Sequence, residues 1–240
     1  MNFMVGDVTM RAIILAAGKG TRLRPLTNEI PKPLVKVVDK PIIETQIEYL
    51  LNVGIKDIIV VSGYKGEKLL YLEKKFKIKV IHNPHYNEFN NIYSMYLARR
   101  YLENSYVLDG DVYIDKNVFT KDISKSTYFG IYKSCFNNEW VINSDENLKV
   151  NSISIESTKN KYILSGISYW NREDGKFIKK ELEKYVRNKE RKDLYWDDIV
   201  RINIQKLNVY LKPLSEYSCY EIDNIKDLNK IHSILKNRRL

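Results

Sequence analysis

The sequence has few cysteines, only Cys135 and Cys219 in a chain of 240 residues. They lie far apart, and neither belongs to a Cys-x-x-Cys or a mixed Cys/His cluster. A small disulfide-stabilised scaffold or a cysteine-based zinc site would need closely spaced cysteines, so the chain lacks the pattern of both classes. We therefore expect two free thiols in a protein of a reducing compartment.

The sequence also lacks long apolar runs, internal repeats and linkers rich in proline, glycine and serine. The longest apolar run near the start, residues 12–17, is far shorter than the roughly 20 residues that span a bilayer. No charged segment followed by an apolar stretch, the layout of a signal peptide, precedes it, so we expect a cytoplasmic protein without a membrane span. Without a linker, residues 10–240 are expected to form a single domain after an N-terminal arm of residues 1–9.

Acidic residues are outnumbered by basic ones, 30 to 40, which gives a formal net charge of +10. Such an excess suits anionic ligands, including nucleotides, acidic lipids and nucleic acids. The lysines are, however, spread over the chain rather than concentrated in one block. We therefore interpret them as a solvated surface, and we expect no nucleic-acid partner.

The first half of the sequence alternates between strand-like and helix-like segments. Residues 12–16 and 57–61 are short aliphatic runs, typical of strands buried on both faces of a parallel sheet. Between them, Pro41 opens a helical stretch that ends near Gly54. Further strands are predicted over 77–81 and 106–108, and further helices over 66–76 and 91–103. The alternation predicts an α/β fold, a Rossmann-like three-layer sandwich with a mostly parallel central sheet.

The second half shows a different pattern, which predicts antiparallel additions to that sheet. Strand-like alternation occurs at 126–133, 139–144, 148–156 and 161–169. Helices near 174–188 and 194–205 follow, then short strands at 207–211 and 218–222 and a closing helix at 225–237.

A glycine-containing loop directly after the first predicted strand is a candidate phosphate site, because ligands bind there in open α/β sheets. Gly18 and Gly20 allow positive φ and let backbone N–H groups approach a phosphate closely. Lys19 and Arg22 add positive charge. The spacing matches neither the dinucleotide-binding nor the Walker pattern, so this loop alone could equally be an ordinary strand-to-helix connection.

Lys32 stands between two prolines, Pro31 and Pro33, which restrict the backbone and hold the ammonium in a fixed direction. A lysine held in this way can stabilise charge that develops on a phosphoryl group. An extended surface turn would have the same pattern.

Two acidic motifs offer the oxygen ligands that suit Mg²⁺ bound with a triphosphate. The segment from Asp109 to Asp111 ends a predicted strand, although it could also be a simple Asp-Gly turn. Glu221 and Asp223 lie on a predicted short strand before the last helix, where Asp223 could instead cap that helix.

The order of these motifs resembles the nucleotidyltransferase family with the signature GxGTRLxPLT…PKPL, which includes the sugar-1-phosphate nucleotidyltransferases. The signature stands here as GKGTRLRPLT over residues 18–27 and PKPL over residues 31–34. The resemblance implies a Rossmann-like sheet, a loop that wraps the triphosphate and two aspartates that hold Mg²⁺. It assigns the outer phosphates to Arg22, and the α-phosphate with the incoming acceptor to Lys32.

By the same resemblance, Asp111 and Asp223 are the metal ligands. The expected nucleotide contacts come from the loop and from the turn after the second predicted strand. They are Leu15, Ala16, Ala17, Gly18, Lys19, Gly20, Thr21, Gly63 and Tyr64.

The second half is similar to the bacterial CTP:phosphocholine cytidylyltransferases of the Lic type. The similarity rests on the runs NNIYS (90–94), STYF (126–129), NEW (138–140), LSGISYW (164–170), DLYWD (193–197) and YEID (220–223). It covers essentially residues 10–237, and it departs from the sugar enzymes where those carry their sugar-binding motifs.

A quaternary ammonium such as choline has a full charge but no N–H to donate, so proteins hold it with aromatic faces aided by carboxylates. Trp140 and Tyr195 stand next to acidic residues and are expected to form such a cage. Trp170 follows a strand-like stretch and is expected in the core. The predicted acceptor contacts are Asn91, Tyr93, Glu139, Trp140, Tyr195, Asp197 and Glu221.

The sequence therefore predicts an enzyme with CTP and phosphocholine as substrates and Mg²⁺ as cofactor. A phosphate oxygen of phosphocholine attacks the α-phosphorus, and CDP-choline and pyrophosphate are the products. The preference for CTP over UTP rests on the resemblance alone. The same chemistry on phosphoethanolamine, 2-aminoethylphosphonate or a sugar 1-phosphate stays open, as do a non-catalytic nucleotide-binding protein and the oligomeric state.

Overall fold

The computed structural model describes residues 9–188 and 191–238. The predicted N-terminal arm therefore lies, apart from Thr9, outside the described residues. The strands are β1 (Arg11–Ala16), β2 (Lys36–Val37), β3 (Lys40–Pro41), β4 (Asp57–Ser62), β5 (Lys79–His82), β6 (Ser105–Asp109), β7 (Val112–Ile114), β8 (Thr127–Lys133), β9 (Phe136–Ser144), β10 (Val150–Thr158), β11 (Lys161–Trp170), β12 (Tyr210–Leu214) and β13 (Cys219–Glu221). The α-helices are α1 (Ile42–Asn52), α2 (Tyr71–Phe76), α3 (Asn91–Ala98), α4 (Arg172–Arg187), α5 (Trp196–Asn203) and α6 (Ile225–Asn237).

A nine-stranded sheet forms the centre of the molecule. Strands β6, β1, β4 and β5 lie side by side in that order and run parallel. Neighbouring residues of β1 point to opposite faces: Ile13 packs with Ile92 of α3, and Ile14 packs in a separate cluster with Ile47 of α1. Both faces of the sheet are thus covered by helices, which confirms the predicted three-layer α/β architecture.

The additions from the second half join the sheet through β11, which runs antiparallel to β6, β8 and β9. Strand β10 pairs antiparallel with β9 at the sheet's edge. Strand β12 is the exception, since it runs parallel to β8 after the chain has returned through α4 and α5. Strand β13 leaves the central sheet and pairs with β7, so one predicted addition forms a separate two-stranded sheet.

Several helix boundaries differ from the predicted ones for local reasons. The helix predicted over 91–103 ends at Ala98 and continues as a 3₁₀ turn over Arg99–Tyr101. The helix predicted from residue 194 begins at Trp196, because the Asp198 side chain accepts the N–H of Tyr195 and caps the first turn. Across residues 9–188 and 191–238, no helix combines the length and the apolar character needed to cross a membrane.

Trp170 confirms the prediction that it belongs to the core. Its side chain is fully buried, and its indole N–H donates to Ser168 Oγ at 3.0 Å. Trp196 is buried too, at 2% exposure, and its ring packs edge-on against that of Trp170 with centroids 5.8 Å apart. These two rings fill the interface between the sheet and α5, which leaves Trp140 as the tryptophan available to the surface.

Strand β11 is bent where it passes the end of β6. Its register shifts between Leu164 and Ser168, and Gly166 there has φ of 72°. A Cβ atom at Gly166 would lie 2.7 Å from Val112 Cγ2 and 3.1 Å from Asp109 Oδ2. The glycine therefore lets β11 approach the acidic turn after β6 more closely than any other residue would.

Candidate active site

A cleft of about 670 Å³ opens beyond the carboxyl ends of β1 and β6. Most of the residues predicted to act in binding or catalysis line it. They are Leu15, Ala16, Ala17, Gly18, Arg22, Lys32, Asn91, Asp111, Glu139, Trp140, Tyr195, Asp197, Glu221 and Asp223. The fold thus brings together in one cleft predicted residues from segments that are more than two hundred positions apart in the sequence, such as Leu15 and Asp223.

Six of the predicted site residues do not line this cleft: Lys19, Gly20, Thr21, Gly63, Tyr64 and Tyr93. Tyr64 supports the wall from outside: its N–H donates to Ala17 O at 3.0 Å and its hydroxyl donates to Thr27 O at 3.0 Å. Lys19 and Thr21 are exposed. Contacts of these residues with a nucleotide stay predictions.

Tyr93 is the one predicted acceptor contact that the structure does not bring to the cleft. Its ring packs against His85 and Phe89, with centroids 4.9 Å away in both cases, and against Tyr96 at 5.6 Å. The helical spacing of α3 explains the difference, because a residue two positions after Asn91 points to a different side of the helix.

Gly20 has a role beyond the predicted approach to phosphate. Its φ is 59°, and a Cβ atom there would lie only 2.8 Å from Lys32 Cβ. The Thr27 hydroxyl donates to Gly20 O at 2.8 Å and holds the loop in this position. The glycine therefore makes room for the lysine side chain to enter the cleft.

Lys32 meets two aspartates from distant parts of the chain. Its Nζ lies 2.5 Å from Asp111 Oδ2 and 2.8 Å from Asp223 Oδ1, and the residue is 8% exposed. Burial alone would lower the pKa of this ammonium, but the charges of Asp111 and Asp223 outweigh it and raise the pKa above its ordinary value. The predicted convergence of the lysine and the two aspartates is confirmed.

The pairing of β7 with β13 brings the two aspartates together. Val112 is opposite Glu221 in this small sheet, and the N–H of Ile222 donates to Asp111 O at 3.1 Å. Asp111 immediately precedes β7 and Asp223 closely follows β13, so the register fixes their distance. Arg22 reaches the same place, with Nη2 2.7 Å from Asp223 Oδ1.

Asp111, Glu221 and Asp223 form a carboxylate cluster in which each offers an oxygen within 4.8 Å of the others. Hard oxygen donors at this spacing fit a divalent cation. Glu221 was predicted as an acceptor contact; it lines the cleft, and the structure also places it beside the two predicted metal ligands. It opens onto the cleft, yet desolvation by the walls and repulsion from Asp111 and Asp223 raise the pKa of its carboxyl.

An aromatic pair lies in another part of the same cleft. The rings of Trp140 on β9 and Tyr195 before α5 meet edge to face, with centroids 6.0 Å apart and planes at 79°. Tyr195 is 47% exposed, so the pair presents accessible aromatic surface. Such a pair can hold a cationic group against the faces of its rings.

The segment that carries Tyr195 is held in place by its neighbours. Asn91 Oδ1 accepts the N–H of Trp196 at 2.8 Å, which ties the segment to the start of α3. Asp198 accepts the N–H of Tyr195 at 2.9 Å and also binds the guanidinium of Arg201, which lies over the Trp140 ring at 5.8 Å from its centroid. Asn91 was predicted to contact the acceptor, and the structure adds this second, structural contact.

Two partly buried carboxylates, Asp109 and Asp197, also line this cleft. Desolvation raises the pKa of Asp197 to about 7, although the Tyr128 hydroxyl donates to its Oδ1 at 2.8 Å. Desolvation, with repulsion from Asp111 and Asp197, also raises the pKa of Asp109 well above its ordinary value. Carboxylates crowded in this way favour a cationic ligand, because a positive charge would relieve their repulsion.

Sequence reasoning did not assign Asp109 to the site, although it recognised the motif that contains it. The sequence signal that could have identified Asp109 was its place as the first carboxylate of the Asp109–Asp111 turn. The sequence does not show that Asp197 lies near Asp109, because the two carboxylates come together only when α5 packs against the sheet.

Comparison with known proteins agrees with this geometry. The sequence model of the family described as Nucleotidyl transferase matches residues 11–233, almost the whole chain. This chain belongs to the nucleotidyl transferase family. The predicted class of enzyme is thereby confirmed.

This nucleotidyltransferase is 45% identical over 228 residues to the choline-phosphate cytidylyltransferase of Streptococcus pneumoniae, covering 95% of this chain and 99% of the relative. It is 34% identical over 221 residues to the 2-aminoethylphosphonate cytidylyltransferase of Lancefieldella rimae, covering 90% and 89% of the two chains. A solved structure of CTP:phosphocholine cytidylyltransferase from S. pneumoniae superposes with a TM-score of 0.93 at 45% identity, covering 95% of this chain and all of that one. The predicted resemblance is confirmed.

The raised pKa of Asp197 predicts a pH-dependent effect of Asp197→Asn on stability. The carboxyl titrates near 7 when folded and near ~3.9 when unfolded, so wild-type stability falls as pH rises through that window. Asn keeps the acceptor for Tyr128 but carries no charge. We expect the variant to unfold roughly 2–6 °C higher than wild type at pH 8.

The same comparison at pH 4, where the folded carboxyl is protonated and the unfolded one is only about half ionised, should show little gain. Asp193→Asn, an exposed neighbour on the same segment, is the matched control and should change neither value. Thermal unfolding across pH 4–8 measures the effect. An equal gain at every pH, or no gain at pH 8, would contradict the assignment.

Proposed function

We propose that this nucleotidyltransferase transfers CMP from CTP to phosphocholine, with CDP-choline and pyrophosphate as products. The observation that carries the proposal is the content of one cleft: Lys32 beside the carboxylate cluster, and the aromatic pair beside Asp197. The first set suits two phosphates, and the second suits a quaternary ammonium. The names of the relatives with high coverage support a cytidylyl donor and a small acceptor that carries an amino or ammonium group and a phosphate or phosphonate.

The nucleotide would bind along the loop that follows β1. Leu15 to Gly18 line the cleft with backbone groups, and Arg22 projects from the first 3₁₀ turn after them. Backbone N–H groups and a guanidinium are suitable partners for the outer phosphates of a triphosphate. Gly63 and Tyr64, which brace this loop, are the proposed neighbours of the base.

The carboxylate cluster is the proposed place for Mg²⁺. Asp111 and Asp223 would hold the ion, and Glu221 is close enough to contribute a third oxygen. When bound there, the ion would offset negative charge on the triphosphate. Its three candidate ligands all have oxygen donors, which is the chemistry that Mg²⁺ prefers.

The reaction needs positioning and charge stabilisation more than proton transfer. A phosphate oxygen of phosphocholine forms a bond to the α-phosphorus, while the bond from that phosphorus to the α,β-bridging oxygen of CTP breaks and pyrophosphate leaves with that oxygen. The attacking phosphate is already an anion, so no strong general base is required. Lys32 would reduce the repulsion between the two phosphates, and Arg22 would hold the leaving pyrophosphate.

The acceptor's ammonium would lie against the aromatic pair. A quaternary ammonium cannot donate a hydrogen bond, so aromatic faces and the nearby negative charge of Asp109 and Asp197 are what it can use. A primary ammonium would instead require carboxylate or carbonyl acceptors at hydrogen-bond distance. The exposed face of Tyr195 therefore favours phosphocholine over phosphoethanolamine and 2-aminoethylphosphonate.

We also propose that the enzyme works in the cytoplasm. Cys135 is an exposed free thiol and Cys219 is a buried one. A reducing compartment suits an accessible unpaired cysteine.

A pyrophosphate-release assay tests the proposed reaction. CTP and UTP are each combined with phosphocholine, phosphoethanolamine, 2-aminoethylphosphonate and glucose 1-phosphate in the presence of Mg²⁺. We expect CTP with phosphocholine to give the highest kcat/KM. Faster release with 2-aminoethylphosphonate or with a sugar phosphate would identify that compound, and not phosphocholine, as the acceptor. No release with any pair would exclude nucleotidyl transfer to these acceptors.

The aromatic pair predicts which substrate its removal affects. Trp140→Ala and Tyr195→Ala should each raise the KM for phosphocholine by about 3- to 30-fold, because each removes a cation–π surface. The KM for CTP should change by less than about twofold in the same assay, since the nucleotide is proposed to bind along the loop after β1 and not at the aromatic pair. Tyr217→Ala is the matched control, a tyrosine with similar exposure that does not line the cleft. Unchanged phosphocholine KM in both variants would show that the ammonium binds elsewhere.

A further inference from the structure

Gln46 is a polar side chain in an apolar part of the core. It lies on α1 and is fully buried, and its neighbours Ile43, Ile47 and Leu50 on the same helix belong to the core cluster beneath the sheet. A buried amide on the core face of a helix costs free energy unless its hydrogen bonds are made. Its partners therefore indicate why it is there.

Both N–H groups of the Gln46 amide are used on one short segment. Nε2 donates to Asp109 O and to Val112 O, each at 2.8 Å. These two carbonyl groups flank Gly110 and Asp111. The amide therefore bridges the acidic turn from the side opposite the cleft, and the two bonds fix both ends of it.

Two other contacts hold the same turn from different directions. The N–H of Gly110 donates to Leu15 O at 2.9 Å, and Asp111 O accepts the N–H of Ile222 at 3.1 Å. The first ties the turn to the nucleotide loop, and the second ties it to the strand before Asp223. Gln46 adds the tie to α1, and it is the one of the three that depends on a side chain.

Apolar packing of the core does not explain the choice of glutamine. Gln46 Oε1 has no hydrogen-bond partner among the described residues, so the side chain buries one unpaired oxygen in order to supply its two donors. A methionine would fill a similar volume without that unpaired oxygen, but it would leave the carbonyl groups of Asp109 and Val112 without this donor. What glutamine adds is two hydrogen bonds that fix the orientation of the turn that carries Asp111.

We propose that Gln46 is a positioning residue for Asp111. It holds the turn so that the Asp111 carboxylate reaches both Lys32 Nζ and the place of a divalent cation in the carboxylate cluster. The inference rests on the proposed role of that cluster in nucleotidyl transfer. It concerns a residue that contacts neither substrate nor metal.

The test compares Gln46→Met, which removes both donors at similar volume, with Gln46→Glu, which turns an acceptor oxygen toward the two carbonyl groups. Binding of Mn²⁺ alone is measured by calorimetric titration, and kcat and the phosphocholine KM are measured by pyrophosphate release. We expect Gln46→Met to lower Mn²⁺ affinity and kcat by about 10- to 100-fold, as loss of an outer partner of a metal ligand does. Gln46→Glu should be at least as impaired, and the phosphocholine KM should change by less than about twofold.

Ile47→Val is the matched control, because it disturbs the same helix and the same core but removes neither hydrogen bond to the turn. It should leave Mn²⁺ affinity and kcat unchanged even if it lowers the melting temperature as much as Gln46→Met does. Wild-type Mn²⁺ affinity in a folded Gln46→Met protein, or an equal loss in Ile47→Val, would overturn the inference. If no acceptor releases pyrophosphate but Gln46→Met still weakens Mn²⁺ binding, the proposed function fails and the role of Gln46 stands.

Discussion

The ion cluster of Lys32 with Asp111 and Asp223 is the interaction on which the rest of the site depends. One ammonium lies within 2.8 Å of oxygens from both carboxylates, at a point that the chain reaches from three separate directions. Gly20 leaves room for the Lys32 side chain, because a Cβ atom there would lie too close to it. The pairing of β7 with β13 sets the distance between Asp111 and Asp223. The surrounding fold can be understood as the frame that keeps this arrangement fixed, since positioned charge is what nucleotidyl transfer requires.

The cleft is strongly acidic for a protein with a formal net charge of +10. Desolvation and mutual repulsion raise the pKa values of Asp109, Asp197 and Glu221, so the folded state carries an electrostatic cost there. Such a cost is common where a site is built to receive positive charge. A metal ion at one part of the cleft and an ammonium at another would both relieve it, which links the binding of cations to the stability of this region.

Sequence patterns were sufficient for the layers of the fold and for most of the cleft, because buried parallel strands and a specific ordered signature leave clear local traces. The signature pointed to Lys32, and the family resemblance assigned Asp111 and Asp223 as the metal ligands. Tyr93 was assigned to the cleft, where the structure does not place it, because a position two residues after Asn91 does not show which side of α3 the side chain faces. Asp109 and Gln46 were missed because they act through residues far away in the sequence. Gln46 binds Asp109, 63 positions away, and Asp109 interacts with Asp197, 88 positions away, so no local sequence pattern indicates either pair.

The most direct test of this account is the single-turnover rate of CMP transfer in Lys32→Ala, measured with saturating CTP, Mg²⁺ and phosphocholine. Lys36→Ala, an exposed lysine on the neighbouring strand β2, is the matched control and should react at the wild-type rate. The account predicts that a folded Lys32→Ala protein reacts at least ~100-fold more slowly, since it loses the positive charge between two phosphates. A rate close to that of the wild type would contradict it.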